Sequence, residues 1–377
     1  MNIGLYYDLS NDTSLIPWFY LLTNGSVDLI NGIVDYNSLQ VPTKFKVIEG
    51  DNIYHFSTDI QELEYCDVKV MNTAFNGNFY KDRILEAKDR FDYIVLSHAN
   101  GEGLGPSYIP IIKELLEIPN LIFISGQNFT DLDSHPRLIT DPFLTLYFFY
   151  NGFGYHFLNY YPATEKKHLI GVYNRHNIYK PHRAQSIDYF REKINAEITV
   201  FEPATVFETA LTGPILSRWS WQSMHVTTYL DYNVCAANIV FETSDGYQTH
   251  SVFTEKTLKS IMFQQADIFF IYAGNIQGID WLHEKGFWFL NSEFYNDNRD
   301  CELDPVIFHP NGYKLFRSVY KSIEYLKTLK DELKTDTDVY NFLLNKHRDK
   351  IDNNVRIFQN LLRNCEYKER LITLITE

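Results

Sequence analysis

The stretch IVFETSDGYQTHSVFTEKTLKSIMFQQADIFFIYAGNIQGIDWLHEKGFWFL, residues Ile239–Leu290, decides the fold that we predict for this chain. Asn238–Phe241 is a short apolar run typical of a buried strand, and a polar loop starts at Glu242. Thr254 then opens a segment with helical apolar spacing, and a second apolar run follows at Ile268–Tyr272. Strand, loop, helix and strand in this order predict one unit of a parallel sheet.

The same alternation is found in two further parts of the sequence. In the first half, strands are predicted at 93–97 and 120–125, with a helix at 109–118 between them. In the second half, strands are predicted at 168–173 and 197–201, with a helix at 182–193 between them. In the parallel α/β class, ligands bind beyond the carboxyl ends of the strands, so the polar strand-end loops predict a cleft along that edge.

The length of 377 residues favours two domains. We predict a first α/β domain over residues 1–162 and a second over 168–310, with residues 162–167 as the linker. Apolar residues recur at helical spacing after Asn311, so the tail over 311–377 is predicted to consist of helices that pack on the domains.

Composition narrows the class of protein. The net charge of -14 argues against a surface that binds nucleic acid throughout, although a local basic groove stays compatible with it. The four cysteines form no CxxC pair, which favours a reduced setting without a zinc site. The N-terminus lacks the pattern of a signal peptide, and the apolar runs are too short to span a bilayer. We therefore expect a soluble cytoplasmic protein with no membrane partner.

A basic loop separates a predicted strand from a predicted helix in the second half. Asn174, Arg175 and Lys180 belong to this loop, and His182 and Arg183 open the helix. Cations at such a position, together with free backbone N–H groups and the positive helix end, suit a phosphate or diphosphate. The alternative interpretation is a solvated turn in which Arg183 pairs with an acid of the same domain.

A second candidate site combines Glu242 with Thr254, Glu255 and Lys256. A carboxylate can accept two sugar hydroxyls, and a lysine at a helix start can offset the charge of a phosphate. The alternative is helix capping, with Thr254 as N-cap and Glu255 in the first turn. From spacing alone, capping is the better interpretation, and the two are compatible.

A third candidate site lies at the strand ends of the first half. His98, Glu102 and Asp133 are candidates for a general base, and the alternative for each is a hydrogen-bonded structural group. Asp131 and Asp133 resemble half of a metal loop, but further acidic ligands at a useful spacing are missing, so no metal site is predicted. The sequence also contains no GxGxxG, GxxxxGK[ST], GxSxG or HExxH motif, which lowers the odds for dehydrogenases, NTPases, serine hydrolases and zinc proteases.

Several of these pieces together resemble a known family. Phe241–Ser244 (FETS) and Phe253–Thr257 (FTEKT) resemble the TEK element of nucleotide-sugar glycosyltransferases related to the α1,3-fucosyltransferases. They are more similar still to a group of phage-encoded glycosyltransferase-like proteins. In that group a basic loop precedes the element, here Asn174–Arg175 and His182–Arg183, and a glycine-aromatic segment follows it, here Gly286–Phe289.

The resemblance covers about residues 168–300, and the first 160 residues match no family that we can name. Two departures from the family pattern occur. Thr243 stands where the fucosyltransferases often have Asn, and Gln264–Asp267 replaces a Gly-x-Pro before the following strand. These departures bear on the donor sugar more than on the fold.

The resemblance implies two Rossmann-like α/β domains that face each other across a cleft, the GT-B arrangement, with the nucleotide-sugar in the C-terminal domain and no obligatory metal or cofactor. The donor-binding residues that it implies are Arg175, His182, Arg183, Glu242, Thr254, Glu255 and Lys256. Of these, Arg175, Arg183 and Lys256 would stabilise the diphosphate, and the two glutamates would bind ribose or sugar hydroxyls. The base would come from the acceptor-side first domain, as Glu102, His98 or Asp133.

The expected function is therefore a metal-independent transfer of sugar from a nucleotide-sugar to an acceptor hydroxyl. For a phage protein, an acceptor in keeping with the resemblance is a hydroxymethylated base of its own DNA, which would have to be flipped or otherwise accessible; a glycan or a protein is the other option. The alternative function is a non-catalytic phage structural or interaction protein that retains the fold. A different nucleotide enzyme on a doubly wound fold is a third interpretation.

Overall fold

A computed structural model gives the fold of the chain as two compact units. The first unit comprises residues 1–152, 250–253 and 360–377, and the second comprises 153–249 and 254–359. The structure describes residues 1–7, 17–18, 21, 26–28, 44–75, 81–98, 104, 106–127, 129, 132, 134–144, 165–173, 181–201, 234–241, 253, 255–270, 281–295, 305–306, 313–314 and 317–377.

The first unit is built on an eight-stranded, mostly parallel sheet. Its strands are β1 (Asn2–Tyr7), β2 (Ser26–Asp28), β3 (Lys44–Glu49), β4 (Asn52–Ser57), β5 (Val68–Ala74), β6 (Tyr93–His98), β7 (Leu121–Ser125) and β8 (Leu138–Thr140). They are arranged in the order β2-β3-β4-β1-β5-β6-β7-β8. The six strands from β4 to β8 along this order run parallel, whereas β2 and β3 are antiparallel additions at one side.

In the described part of the chain, two helices from the connections between the strands pack on this sheet. They are α1 (Lys81–Ala87) and α2 (Ile109–Leu116), and α2 carries Pro110 in its first turn, where a missing N–H costs least. Ile112, Leu115 and Leu116 of α2 are buried with β6 and β7 in one apolar core. All five residues of β7 are buried, as expected for a parallel strand covered on both faces. The predicted strand–helix–strand unit of the first half is confirmed.

The second unit contains a four-stranded, fully parallel sheet. Its strands are β9 (His168–Tyr173), β10 (Ile198–Phe201), β11 (Cys235–Phe241) and β12 (Ile268–Phe270), in the order β10-β9-β11-β12. Helix α3 (Pro181–Ile194) connects β9 to β10, and helix α4 (Glu255–Met262) lies between β11 and β12. The parallel unit predicted around residues 239–290 is therefore confirmed. A short antiparallel ladder of β13 (Pro305–Val306) and β14 (Tyr313–Lys314) follows.

The predicted helical tail is observed as three helices. They are α5 (Arg317–Leu333), α6 (Asp336–Arg363) and α7 (Glu366–Thr376). The tail divides between the units, because residues 317–359 belong to the second unit and 360–377 to the first. Within the first unit the Tyr367 hydroxyl donates to the Pro17 carbonyl oxygen at 2.9 Å.

The mixed α/β class with mostly parallel sheets agrees with the fold predicted from the sequence. No helix in the described part of the chain combines the length and the apolar character that crossing a bilayer requires.

Candidate functional site

Two edges of the described structure carry predicted site residues, one in each unit. The side chains of His98 and Lys256 are described, whereas the structure gives the backbone alone for His182, Arg183 and Glu255. The remaining predicted residues, Glu102, Asp133, Arg175, Glu242 and Thr254, lie outside the described residues.

The second unit has a topological switch point between β9 and β11. These two strands are parallel neighbours, with Gly171 opposite Asn238. The connection from β9 leads outward to β10 on one side, and the connection from β11 leads to β12 on the other. Right-handed crossovers then place α3 and α4 on opposite faces of the sheet. The carboxyl ends of β9 and β11, which we call the switch-point crevice, are the position at which open parallel sheets of this order bind ligands.

The predicted donor-binding residues of the helices belong to the first turns next to this crevice. His182 and Arg183 are the second and third residues of α3, and Glu255 and Lys256 are the first two of α4. Both helices follow strands that end at the switch point, so their N-terminal turns belong to the same edge of the sheet. The helix dipole favours an anion at such an end, and the Lys256 ammonium adds a positive charge.

A buried polar network, which sequence reasoning missed, joins β11 to the segment before β12. The backbone N–H of Asn238 donates to Asp267 Oδ1 at 2.8 Å, and its side-chain amide donates to Gln265 Oε1 at 2.9 Å. Asn238 and Asp267 are fully buried.

Burial lowers the pKa of Lys166 to about 8, although the nearby Asp267 carboxylate acts in the opposite direction. The Lys166 ammonium lies 3.9 Å from the centre of the Tyr340 ring.

The first unit brings polar side chains together at the carboxyl ends of β6 and β7. His98 ends β6 and Ser125 ends β7, and the two residues are register partners. Nδ1 of His98 lies 3.3 Å from Ser125 Oγ, and the Gln127 backbone N–H donates to the same oxygen at 3.0 Å. The ring of His98 also meets Phe75 edge to face. The predicted polar edge is thus present, with His98 as a buried member.

The Gln127 side chain clamps the backbone of Leu104. The Gln127 carboxamide accepts from the Leu104 N–H at 2.6 Å and donates to the Leu104 carbonyl oxygen at 3.0 Å. Gln127 is itself almost fully buried. This two-point contact sets the position of Leu104, which lies between β6 and α2 in the sequence. The sequence signal was the polar Gly126–Asn128 segment at the strand end.

A further polar contact lies between β1 and β5. Asn72 of β5 is fully buried, and its amide donates to the Tyr6 carbonyl oxygen at 3.0 Å. The indole N–H of Trp18 donates to the Asn72 side-chain oxygen. Since the connections from β1 and β5 lead to opposite sides of the sheet, this is the switch point of the first unit.

A shallow groove in the second unit was not predicted. Its volume is about 460 Å³. The residues that line it are His283, Gly286, Phe287, Trp288, Ser292, Tyr295, Lys350 and Asn353. The wall is held by Asn354, which pairs with both the N–H and the carbonyl oxygen of Trp288 at 2.8 and 2.6 Å. The glycine-aromatic segment of the sequence was the signal for this wall.

Within the described residues, no group of three or more His, Cys, Asp or Glu side chains is arranged to hold a metal ion.

The described cysteines are buried thiols, and burial raises the pKa of Cys66 to about 11 and that of Cys365 to about 12. At neutral pH both are protonated and poor nucleophiles.

Comparison of the sequence with models of protein families finds no match. A comparison with curated proteins finds no significant match either.

Proposed function

We propose that the protein is a nucleotide-sugar-dependent glycosyltransferase, and that the switch-point crevice of the second unit binds the diphosphate of the donor. One observation supports this most: His182–Arg183 and Glu255–Lys256 open the two helices that follow the neighbouring strands β9 and β11. Two helix N-termini with three basic residues in their first turns suit a diphosphate better than a single capped helix does.

The proposal assigns separate tasks to the two units. In the second unit, Arg175, Arg183 and Lys256 stabilise the leaving diphosphate, and Glu242 and Glu255 bind ribose or sugar hydroxyls. In the first unit, the polar edge at His98 binds the acceptor. We further propose that the units face each other across a cleft in the GT-B manner. With cations to offset the diphosphate charge, the transfer takes place without a metal ion.

A binding experiment tests the donor site directly. Uridine, guanosine, cytidine, adenosine and thymidine diphosphates are titrated into the protein by calorimetry, and the matching nucleotide-sugars are tested for release of the nucleoside diphosphate. At least one should bind. Lys256→Ala should then weaken binding by roughly ten- to a hundredfold, since a hydrogen bond to a charged group contributes about 1.5–3 kcal/mol.

A matched control separates this effect from a general loss of positive charge. Arg356→Ala removes an exposed cation of α6 in the same unit and should leave binding unchanged. Circular dichroism establishes that each variant is folded. If no diphosphate binds and no nucleotide-sugar is hydrolysed, the proposal is wrong, and a non-catalytic protein with this fold becomes the better interpretation.

The acceptor is sought once a donor is known. DNA with a hydroxymethylated base, unmodified DNA, glycans and proteins are compared with the same radiolabelled nucleotide-sugar. Transfer to the modified DNA alone would identify a base hydroxyl as the acceptor. Because the net charge is -14, DNA binding would require a local basic surface and would weaken steeply with salt.

A further inference from the structure

The hydrogen bonds around His98 determine which of its ring nitrogens carries the proton. His98 is 3% exposed and Ser125 is fully buried, so water does not replace their mutual hydrogen bond. His98 Nδ1 and Ser125 Oγ are 3.3 Å apart. Either group can in principle be the donor, because a neutral imidazole carries one N–H and a hydroxyl both donates and accepts.

The second contact of the Ser125 hydroxyl resolves this choice. The backbone N–H of Gln127 can only donate, so at 3.0 Å it occupies a lone pair of Ser125 Oγ. In the described part of the chain, the remaining hydrogen-bonding group within reach of that oxygen is His98 Nδ1. The single hydroxyl hydrogen of Ser125 therefore has Nδ1 as its acceptor.

The opposite arrangement would leave a buried donor unsatisfied. If Nδ1–H donated to Ser125 Oγ, the hydroxyl hydrogen would lack an acceptor among the described residues, which disfavours that tautomer by roughly tenfold or more. We infer that Ser125 is a positioning residue: its O–H donates to Nδ1 and holds neutral His98 in the tautomer that is protonated on Nε2. Gln127 supports this role by fixing the serine oxygen through its backbone N–H.

This tautomer changes what His98 can do, and the consequence rests on the proposed function. In a neutral ring protonated on Nε2, the basic nitrogen is Nδ1, which Ser125 engages, so Nε2 can donate a hydrogen bond but cannot take up a proton. His98 would thus orient an acceptor or sugar oxygen and would not be the general base. The proton of the acceptor hydroxyl would pass to a carboxylate, Glu102 or Asp133, while the oxygen bonds to the anomeric carbon and the diphosphate leaves with the electron pair.

Nitrogen NMR tests the tautomer without any activity. The full-length protein is labelled with ¹⁵N-histidine, one of the 12 histidine signals is assigned to His98 by its loss in His98→Gln, and spectra are recorded at about pH 8, where an ordinary histidine is neutral. Nε2 should show the shift of a protonated nitrogen. Ser125→Ala should move the ring towards a mixture of tautomers, whereas Ser97→Ala, a buried serine of β6, should not.

A protonated Nδ1 in the natural protein, or a ring unaffected by Ser125→Ala, would overturn the inference. If sugar transfer is found, a second comparison tests the donor role. His98→Gln keeps an N–H near the place of Nε2 and should retain activity within about threefold, while His98→Asn should lose roughly tenfold or more. Equal losses in both folded variants would contradict that role. Failure to find any transfer would reject the proposed function, and the NMR result would still decide the tautomer.

Discussion

The centre of the second sheet should not tolerate a side chain at Gly171. A Cβ at this position of β9 would lie 2.5 Å from Asn238 Oδ1 and 2.5 Å from Cys235 Sγ. Ordinary contacts between such atoms are about 3.5 Å or longer, so both neighbours would have to move by about 1 Å. Neither moves freely, because Cys235 is fully buried and Asn238 is held by Gln265 and Asp267.

The expected cost of Gly171→Ala follows from these contacts. Overpacking of a well-packed core costs about 1–3 kcal/mol, and displacement of the buried Asn238 amide adds about 1–3 kcal/mol. A total of about 2–5 kcal/mol is a large share of the stability of an ordinary domain. In urea unfolding followed by circular dichroism and tryptophan fluorescence, the midpoint should fall by about 1–2 M, since m for such a unit is about 2–3 kcal/mol/M.

Two controls locate the cause. Gly4→Ala is the same change in β1 of the first unit, where the nearest atoms lie 3.1 Å from the new Cβ, and it should cost less. Cys235→Ala in the Gly171→Ala background removes the sulfur and should show a favourable coupling energy of about 1–2 kcal/mol in a double-mutant cycle. A variant as stable as the natural protein, or strictly additive effects of the two substitutions, would refute the packing argument.

Two further predictions concern the second unit. Asn354→Ala leaves the buried N–H and carbonyl oxygen of Trp288 without their partner and should lower the free energy of unfolding by about 2–5 kcal/mol, measured in urea. Asn345→Ala, at an exposed position of the same helix, is the inert control. Lys166→Met should change how stability depends on pH. The pKa of Lys166 is about 8 in the folded protein, whereas that of an ordinary lysine is 10.5, so the unfolded chain binds the proton more tightly. The contribution of Lys166 to stability therefore rises with pH between these two values. The free energy of unfolding of the natural protein, relative to that of the variant, should therefore grow by up to about 3 kcal/mol as the pH rises from 8 to 10.5. A difference in this free energy that stays constant over the same pH range would contradict the prediction.

The local pattern of apolar residues was sufficient to predict the strands that are buried along their whole length. The run at His168–Tyr173 is a strand with the predicted bounds, and β7 differs from its predicted range by one residue. Such strands can be read from sequence because parallel strands are apolar along their whole length. The position of β1 between β4 and β5 could not be predicted, since it depends on pairings between residues that are about fifty or more positions apart.

The site was predictable to the level of strand ends and helix starts. His98 could be placed at a polar edge because it follows a buried run. Its pairing with Ser125 required the register of β6 and β7, which a single sequence does not specify. The clamp between Gln127 and Leu104 similarly depends on two residues that are 23 positions apart in the sequence and meet in space.

The segment Gln264–Asp267, where the sequence departs from the Gly-x-Pro of the family that it resembles, has a structural explanation. Asp267 immediately precedes β12, and its carboxylate accepts from the Asn238 backbone N–H, while Gln265 accepts from the Asn238 side chain. These bonds join β11 to the segment before β12 at the amino end of β12. The proposed diphosphate site lies at the opposite, carboxyl edge of the sheet. The residues Gln264–Asp267 therefore affect the stability of the second unit and the spacing of its strands. The residues that determine the donor sugar are expected at the carboxyl ends of β9 and β11.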